Sequence, residues 1–418
     1  MKNEAYEGAK KAYAELSVDT DQVIEHLAQI PISLHCWQGD DVGGFERPDA
    51  TLGGGGIQVT GNYPGKARSI AELRQDIEKV FSLVPGPHRL SLHASYGEFG
   101  GEFVDRDAIE PKHYNGWVEW AKKLGIGLDF NGTFFSHPLA DDGYTLASKD
   151  PKVRKFWIEH AKRCRQIAAW IGQELGSTCI LNTWVPDGAK DFTVDKIGYR
   201  RILKESLDEI FALSYPEEHM KDAIETKLFG IGSEAFVVGS HEFYMNYAAR
   251  NAKMLCIDMG HFHTGEDVSD KLSSILLFQN EVLLHVSRPM RWDSDHVVLF
   301  NDDVTHVAQE IVRSGKLENV YIGLDFFDAS INRVGAWATG ERALRKALLY
   351  AMLEPHKRLL EAEQKGNGYL KMGLLEALKT LPFAAVWNRY CERFEAPNDL
   401  VVIDEVLAYE EKILKGRN

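Results

Sequence analysis

Cysteine is scarce in this chain of 418 residues and never paired: Cys36, Cys164, Cys179, Cys256 and Cys391 are odd in number, scattered, and without a C-x-x-C spacing. That excludes a disulfide framework and a zinc finger and reads as reduced thiols. No apolar run is long enough to span a bilayer, and residues 1–19 are polar where a secretory leader would be apolar. The expected location is therefore the cytoplasm, with no membrane partner. Positive charge is in deficit, since 48 Lys and Arg stand against 62 Asp and Glu for a net charge of −14, with no basic run. Such a surface repels a phosphate backbone, so no nucleic-acid partner is expected. Low-complexity tracts and internal repeats are missing as well. With 44% hydrophobic and 26% charged residues, the composition is that of a folded globular chain.

Several common catalytic signatures are also absent. There is no H-E-x-x-H, no G-x-S-x-G elbow and no G-x-G-x-x-G turn. Gly61-Asn-Tyr-Pro-Gly65-Lys66-Ala67 approaches a P-loop, but its glycine spacing is one residue short and Ala67 stands where a magnesium-binding hydroxyl belongs. A nucleotide site is not expected there.

What the chain does contain is alternation of short β-branched or aromatic runs with stretches of helical period. Eight such runs are legible, at 30–37, 88–96, 126–131, 177–184, 222–229, 254–260, 281–288 and 319–327. Helices are expected between them, for example at 69–83, where Ser69 and Glu72 make a capping-box pair, and at 151–175, closing at Gly176. Strand then helix, eight times over, predicts an α/β fold of the (β/α)8 TIM-barrel type. The expected organisation is a catalytic barrel with an N-terminal helical segment over 1–334. A mostly helical extension over 335–418 would wrap the barrel or form an oligomer interface. The glycine run 53–56 reads as a surface loop or a lid over the barrel mouth.

Barrel enzymes place their chemistry at the carboxyl ends of the strands, and that is where acids and histidines collect here. Glu225 and Lys227 lie two apart in the fifth run, a spacing that puts both side chains on one face. The sixth run ends in Asp258-Met-Gly-His261, the seventh holds His285, the eighth holds Asp325, and Asp293 and Asp295 follow the seventh. A lone strand histidine is usually a hydrogen-bonded core residue, and a strand-end Asp usually caps a helix. Neither habit predicts acid or imidazole at the ends of four consecutive strands, whereas a metal site requires it. Two divalent cations together with Lys227 would neutralise the five carboxylates, and oxygen-rich ligation with two imidazoles suits Mn²⁺, Mg²⁺ or Co²⁺. Trp37, Phe130, Phe134 and Trp184 could line the cavity, although single aromatics more often pack a core.

Five segments carry a family resemblance: Ser-Leu-His35-Cys-Trp-Gln-Gly-Asp-Asp, Gly61-Asn-Tyr-Pro-Gly-Lys-Ala, Glu225-Thr-Lys227-Leu-Phe-Gly-Ile-Gly, His285-Val-Ser-Arg-Pro-Met-Arg-Trp-Asp293-Ser-Asp295-His296 and Ile322-Gly-Leu-Asp325-Phe-Phe-Asp328. Through them, over nearly its whole length, the chain resembles bacterial L-rhamnose isomerase, a relative of xylose isomerase among divalent-metal barrel enzymes. The resemblance implies one ion held by Glu225, Asp258, His285 and Asp325, and a catalytic ion held by His261, Asp293 and Asp295, with Asp258 between them. Mn²⁺ is the expected metal, with Co²⁺, Mg²⁺ or Zn²⁺ as alternatives.

By the same resemblance, His93, Trp184 and Lys227 border a small-molecule sugar, and Asp325, Lys227 and His261 take the catalytic roles. The implied reaction is reversible aldose–ketose isomerisation of L-rhamnose to L-rhamnulose in L-rhamnose catabolism, in a homotetramer. The competing readings are a two-metal phosphoesterase or other hydrolase on the same barrel, an isomerase of a related aldose, and a sugar-binding protein without activity.

Overall fold

A computed structural model describes residues 2–46, 59, 61–229, 233–263, 265–290 and 293–417, with residues 2, 3 and 293–295 described by their backbone. The glycine run 53–56 lies outside the described residues.

Eight parallel strands close into a barrel: β1 (Ile32–His35), β2 (His88–His93), β3 (Gly127–Asn131), β4 (Cys179–Trp184), β5 (Met220–Glu225), β6 (Met254–Asp258), β7 (Val282–Val286) and β8 (Val320–Leu324). Each pairs with its neighbours in chain order, and β8 closes on β1 through Ile322 opposite Ile32. Each of the eight expected runs overlaps one strand. β7 (Val-Leu-Leu-His-Val) is buried at every position because its outer face is covered by helices and its inner face lines the barrel.

The helices follow local signals. Ile70–Leu83 starts at Ser69, whose hydroxyl accepts from Glu72 N at 3.2 Å. The reciprocal half of the capping box is displaced by one residue: the Glu72 carboxylate accepts from Arg68 N at 2.8 Å. Pro151–Leu175 stops at Gly176, whose φ of +59° is the left-handed conformation that glycine adopts at least cost. Arg333–Met352 runs back along β1, and its Trp337 indole donates to His35 O at 2.8 Å.

The remaining helices, His356–Gln364, Gly368–Leu378, Phe383–Arg393 and Asp399–Lys412, turn back over the barrel's outer layer. Phe383–Arg393 packs on Lys2–Ala14. Tyr409 donates to Asp76 at 2.7 Å, and Arg417 pairs with the same carboxylate at 2.5 Å. Two short antiparallel ribbons, Gly188–Ala189 with Phe236–Val237 and Arg288–Met290 with Asp293–His296, were not expected from the sequence. Two to four residues are too few to carry a period. No helix among the described residues is long and apolar enough to cross a membrane.

Candidate metal centre and active site

Strand alternation sends every second side chain into the barrel, and the strand ends bring four of the expected ligands together. Glu225 is the last residue of β5, Asp258 the last of β6, and His285 lies opposite Asp258 in the register of β7; Asp325 follows β8 directly. Glu225, Asp258, His285 and Asp325 each offer one ligand atom, and these atoms lie within 4.8 Å of one another. His285 Nδ1 stands 3.2 Å from Asp325 Oδ2, 3.5 Å from Glu225 Oε2 and 4.0 Å from Asp258 Oδ2.

Each carboxylate is oriented from outside the cluster. Trp37 Nε1 donates to Asp325 Oδ1 at 3.0 Å. Asp258 Oδ1 accepts from Ser287 Oγ at 2.9 Å and from Gly260 N at 2.6 Å. Asn182 Nδ2 donates to Glu225 Oε2. His261 sits beside the cluster with Nδ1 at 2.9 Å from Thr226 O and 3.0 Å from Glu225 Oε1; the contact with Thr226 O has hydrogen-bond geometry. That leaves Nε2 as the free ligand nitrogen. Its ring stacks on Trp184 at 6.3 Å, and Lys227 Nζ lies 5.4 Å above the same indole. His93 packs edge-on against Trp37 at 4.8 Å and against Phe135 at 5.6 Å. The result is an aromatic wall facing an acidic cluster.

Burial alone would raise every carboxyl here. Glu225 nevertheless lies well below the ordinary glutamate value, because His285 and His261 outweigh that effect. Asp325 is likewise lowered against burial by His285. Asp258 is pushed up to about 7 by burial. His285 runs against its burial and is raised well above its ordinary value by Cys256 and Glu225. Buried polar atoms normally find partners, yet His285 Nδ1, Asn182 Oδ1, Thr226 Oγ1 and Trp184 Nε1 make no hydrogen bond within the protein. Converging carboxylates beside unpaired donors and acceptors fit a hard divalent cation with sugar hydroxyls or water around it.

Lys227 reaches the cavity differently from the sequence argument. β5 ends at Glu225, so strand alternation does not carry Lys227; a backbone bond to Gly239 O at 3.3 Å fixes the segment beyond the strand. Phe134 packs behind the barrel against Trp157 and His160, outside the cavity. Asp293 and Asp295 lie in the ribbon after β7, and their side chains fall outside the described residues. Asn182 and Ser287 were missed by sequence reasoning. Asn182 had a signal in alternation, two residues before Trp184 on β4, whereas Ser287 lies past the end of β7, where no strand period reaches it.

Comparison with known proteins agrees with this geometry. The family model for L-rhamnose isomerase (RhaA) matches residues 1–417. L-rhamnose isomerases of Salmonella paratyphi A and Salmonella enteritidis PT4 are each 51% identical over 415 residues, covering 99% of this chain and 99% of theirs. A solved D-tagatose 3-epimerase-like protein is 14% identical with a TM-score of 0.45, covering 63% of this chain and 89% of its own, a likeness too slight to carry an argument. The hydrolase reading finds no support. With a whole-chain family match and half of its residues shared with such relatives, the chain is an enzyme of the isomerase class and belongs to the L-rhamnose isomerase family.

Proposed function

We propose that this chain interconverts L-rhamnose and L-rhamnulose with two divalent cations, Mn²⁺ by preference. The observation that supports the metal part best is the group of four ligand atoms within 4.8 Å at the barrel's carboxyl end. Glu225, Asp258, His285 and Asp325 would hold one ion. His261, with Asp293 and Asp295, would hold the other. When bound, the cations supply Lewis-acid polarisation of adjacent sugar oxygens.

The protein's own groups supply the rest. Asp325, held by Trp37 on Oδ1 and kept ionised by His285, would carry a proton through an intervening water, leaving Oδ2 toward the ion. The Lys227 ammonium stabilises negative charge on the C1 oxygen, and the Trp184 indole beneath it packs on the sugar and excludes water. Burial lowers His93 to about 4, so it is neutral and can hydrogen-bond a hydroxyl without adding charge.

Three further parts belong to the same proposal. The five unbridged, buried thiols suit the reducing cytoplasm. The barrel module covers 1–334, and the helices of 335–418 act as wrap and as contact in a homotetramer, for which exposed Tyr369, Leu400 and Leu407 are the supporting surface. The test is ketose formation from L-rhamnose by purified protein, before and after chelation. Chelator abolishes it and Mn²⁺ or Co²⁺ restores it; full turnover in thoroughly stripped protein overturns the proposal.

A further inference from the structure

Among the described residues, Cys256 is the one cysteine whose sulfur groups with ligands of the metal cluster. It lies on β6 two residues before Asp258, on the same inward face, and is paired in register with Glu225 of β5. Its side chain has no exposure to solvent. A ligand atom from each of Glu225, Cys256 and His285 lies within 4.8 Å of the other two. Around the thiol packs a buried apolar cluster of Ile180, Ala223, Met254 and Leu283. The other two members keep a buried atom without an aligned hydrogen bond, Nδ1 of His285 and Oε1 of Glu225, in residues 4% and 2% exposed.

We infer that Glu225, Cys256 and His285 form an alternative, thiophilic ion site that takes Cd²⁺ or Zn²⁺ in place of the hard ion held through Glu225 and His285. The inference goes beyond the proposed function but rests on its assignment of Glu225 and His285 as ligands. Sulfur, imidazole nitrogen and carboxylate oxygen are the donor set soft and borderline d¹⁰ cations select, at M–S about 2.3 Å and M–N or M–O about 2.0–2.2 Å. At the tetrahedral angle two such bonds set their ligand atoms roughly 3.3–3.7 Å apart. The group is therefore within side-chain adjustment of closing on one ion.

Binding replaces the S–H bond by an S–metal bond, and the proton leaves to solvent with no change of oxidation state. Because the soft and hard ions would share Glu225 and His285, they exclude one another. The soft ion also draws those two ligands toward β6, away from Asp325, which is left to its bond with Trp37. A cadmium- or zinc-loaded chain would thus be folded but catalytically displaced.

The experiment titrates metal-stripped full-length protein with Cd²⁺ and follows the ultraviolet thiolate-to-cadmium charge-transfer band. A band saturating at one ion per chain is expected, and it disappears in both Cys256→Ala and Cys256→Ser. In Mn²⁺-loaded protein, Cd²⁺ should release bound Mn²⁺, seen as the free-ion electron paramagnetic resonance signal. Cys256→Ala should weaken that displacement by roughly tenfold or more while leaving Mn²⁺ affinity within about threefold. Mn²⁺ binding without a cadmium band overturns this inference alone, as does a band that survives both substitutions. If wild-type protein binds neither ion, the inference and the proposed metal function fall together.

Discussion

Trp37 donates its indole N–H to Asp325 Oδ1 at 3.0 Å across a sequence separation of 288 residues, so the chain just beyond the first barrel strand orients a carboxylate just beyond the last. The bond fixes which oxygen of Asp325 faces His285, 3.2 Å away, and thereby the direction in which the cluster is open. Groups that orient a ligand contribute to metal affinity without touching the ion. Trp37→Phe keeps the ring that packs on His93 and removes only the donor. Affinity for the more tightly held ion should fall roughly 10-fold, with the fold intact. Calorimetric metal titration beside a melting curve checks it; unchanged affinity would remove Trp37 from the site's support.

Lys227 stands over Trp184 beside the cluster, in position to stabilise charge on a substrate oxygen. Lys227→Met should lower kcat by roughly two orders of magnitude or more, because the lost interaction is made mainly in the transition state. KM and melting temperature should change little. A variant with normal turnover and reduced stability would make Lys227 a structural charge-balancing group instead.

The two proposed ions should separate by how their ligands are built in. Glu225 is 2% exposed, ends a barrel strand and is approached by Asn182, His261 and His285. Asp293 belongs to a short ribbon after β7. Asp293→Asn should therefore leave about one tightly held ion per chain and a stable fold, whereas Glu225→Gln should weaken both ions. An ion at about 100 times its Kd stabilises the native state by roughly 2.7 kcal/mol, so its loss is visible in a melt. The assignment fails if Asn at 293 destabilises the protein more than Gln at 225.

The barrel was legible because parallel strands covered by helices must be apolar runs, and β7 is apolar but for one residue. That exception, His285, was also what marked the site: an ionisable group in such a run needs a partner. The partners themselves were less legible. The Trp37–Asp325 and Asn182–Glu225 bonds join different strands, and only the closed barrel brings them together. Cys256 read as an ordinary reduced thiol because its significance comes from lateral register with Glu225, which a single strand's pattern does not contain. Lys227 was placed at the cavity by an alternation argument that does not apply past the end of β5.

His160 supplies a pH dependence separate from the metal cluster. It lies on Pro151–Leu175 with no solvent exposure, and both ring nitrogens are engaged: Nε2 accepts from Thr133 N at 3.0 Å, and Nδ1 donates to Arg106 O at 3.0 Å. Burial drives its pKa down to about 3, with the nearby Arg106 charge adding to the effect. In the unfolded chain it would titrate near the ordinary value of about 6.5. Between those values the unfolded state binds the extra proton, so stability present above about 6.5 is lost as pH falls toward 3. By pH 5 the loss is about 2 kcal/mol. His160→Gln keeps an acceptor and a donor but cannot titrate, so it should be less stable than wild type near pH 7.5 and close much of that gap by pH 5. Urea midpoints of both proteins across this range measure the difference, in which titrations common to both cancel. A gap that stays constant with pH would mean that His160 does not carry the neutral, doubly bonded role its geometry assigns.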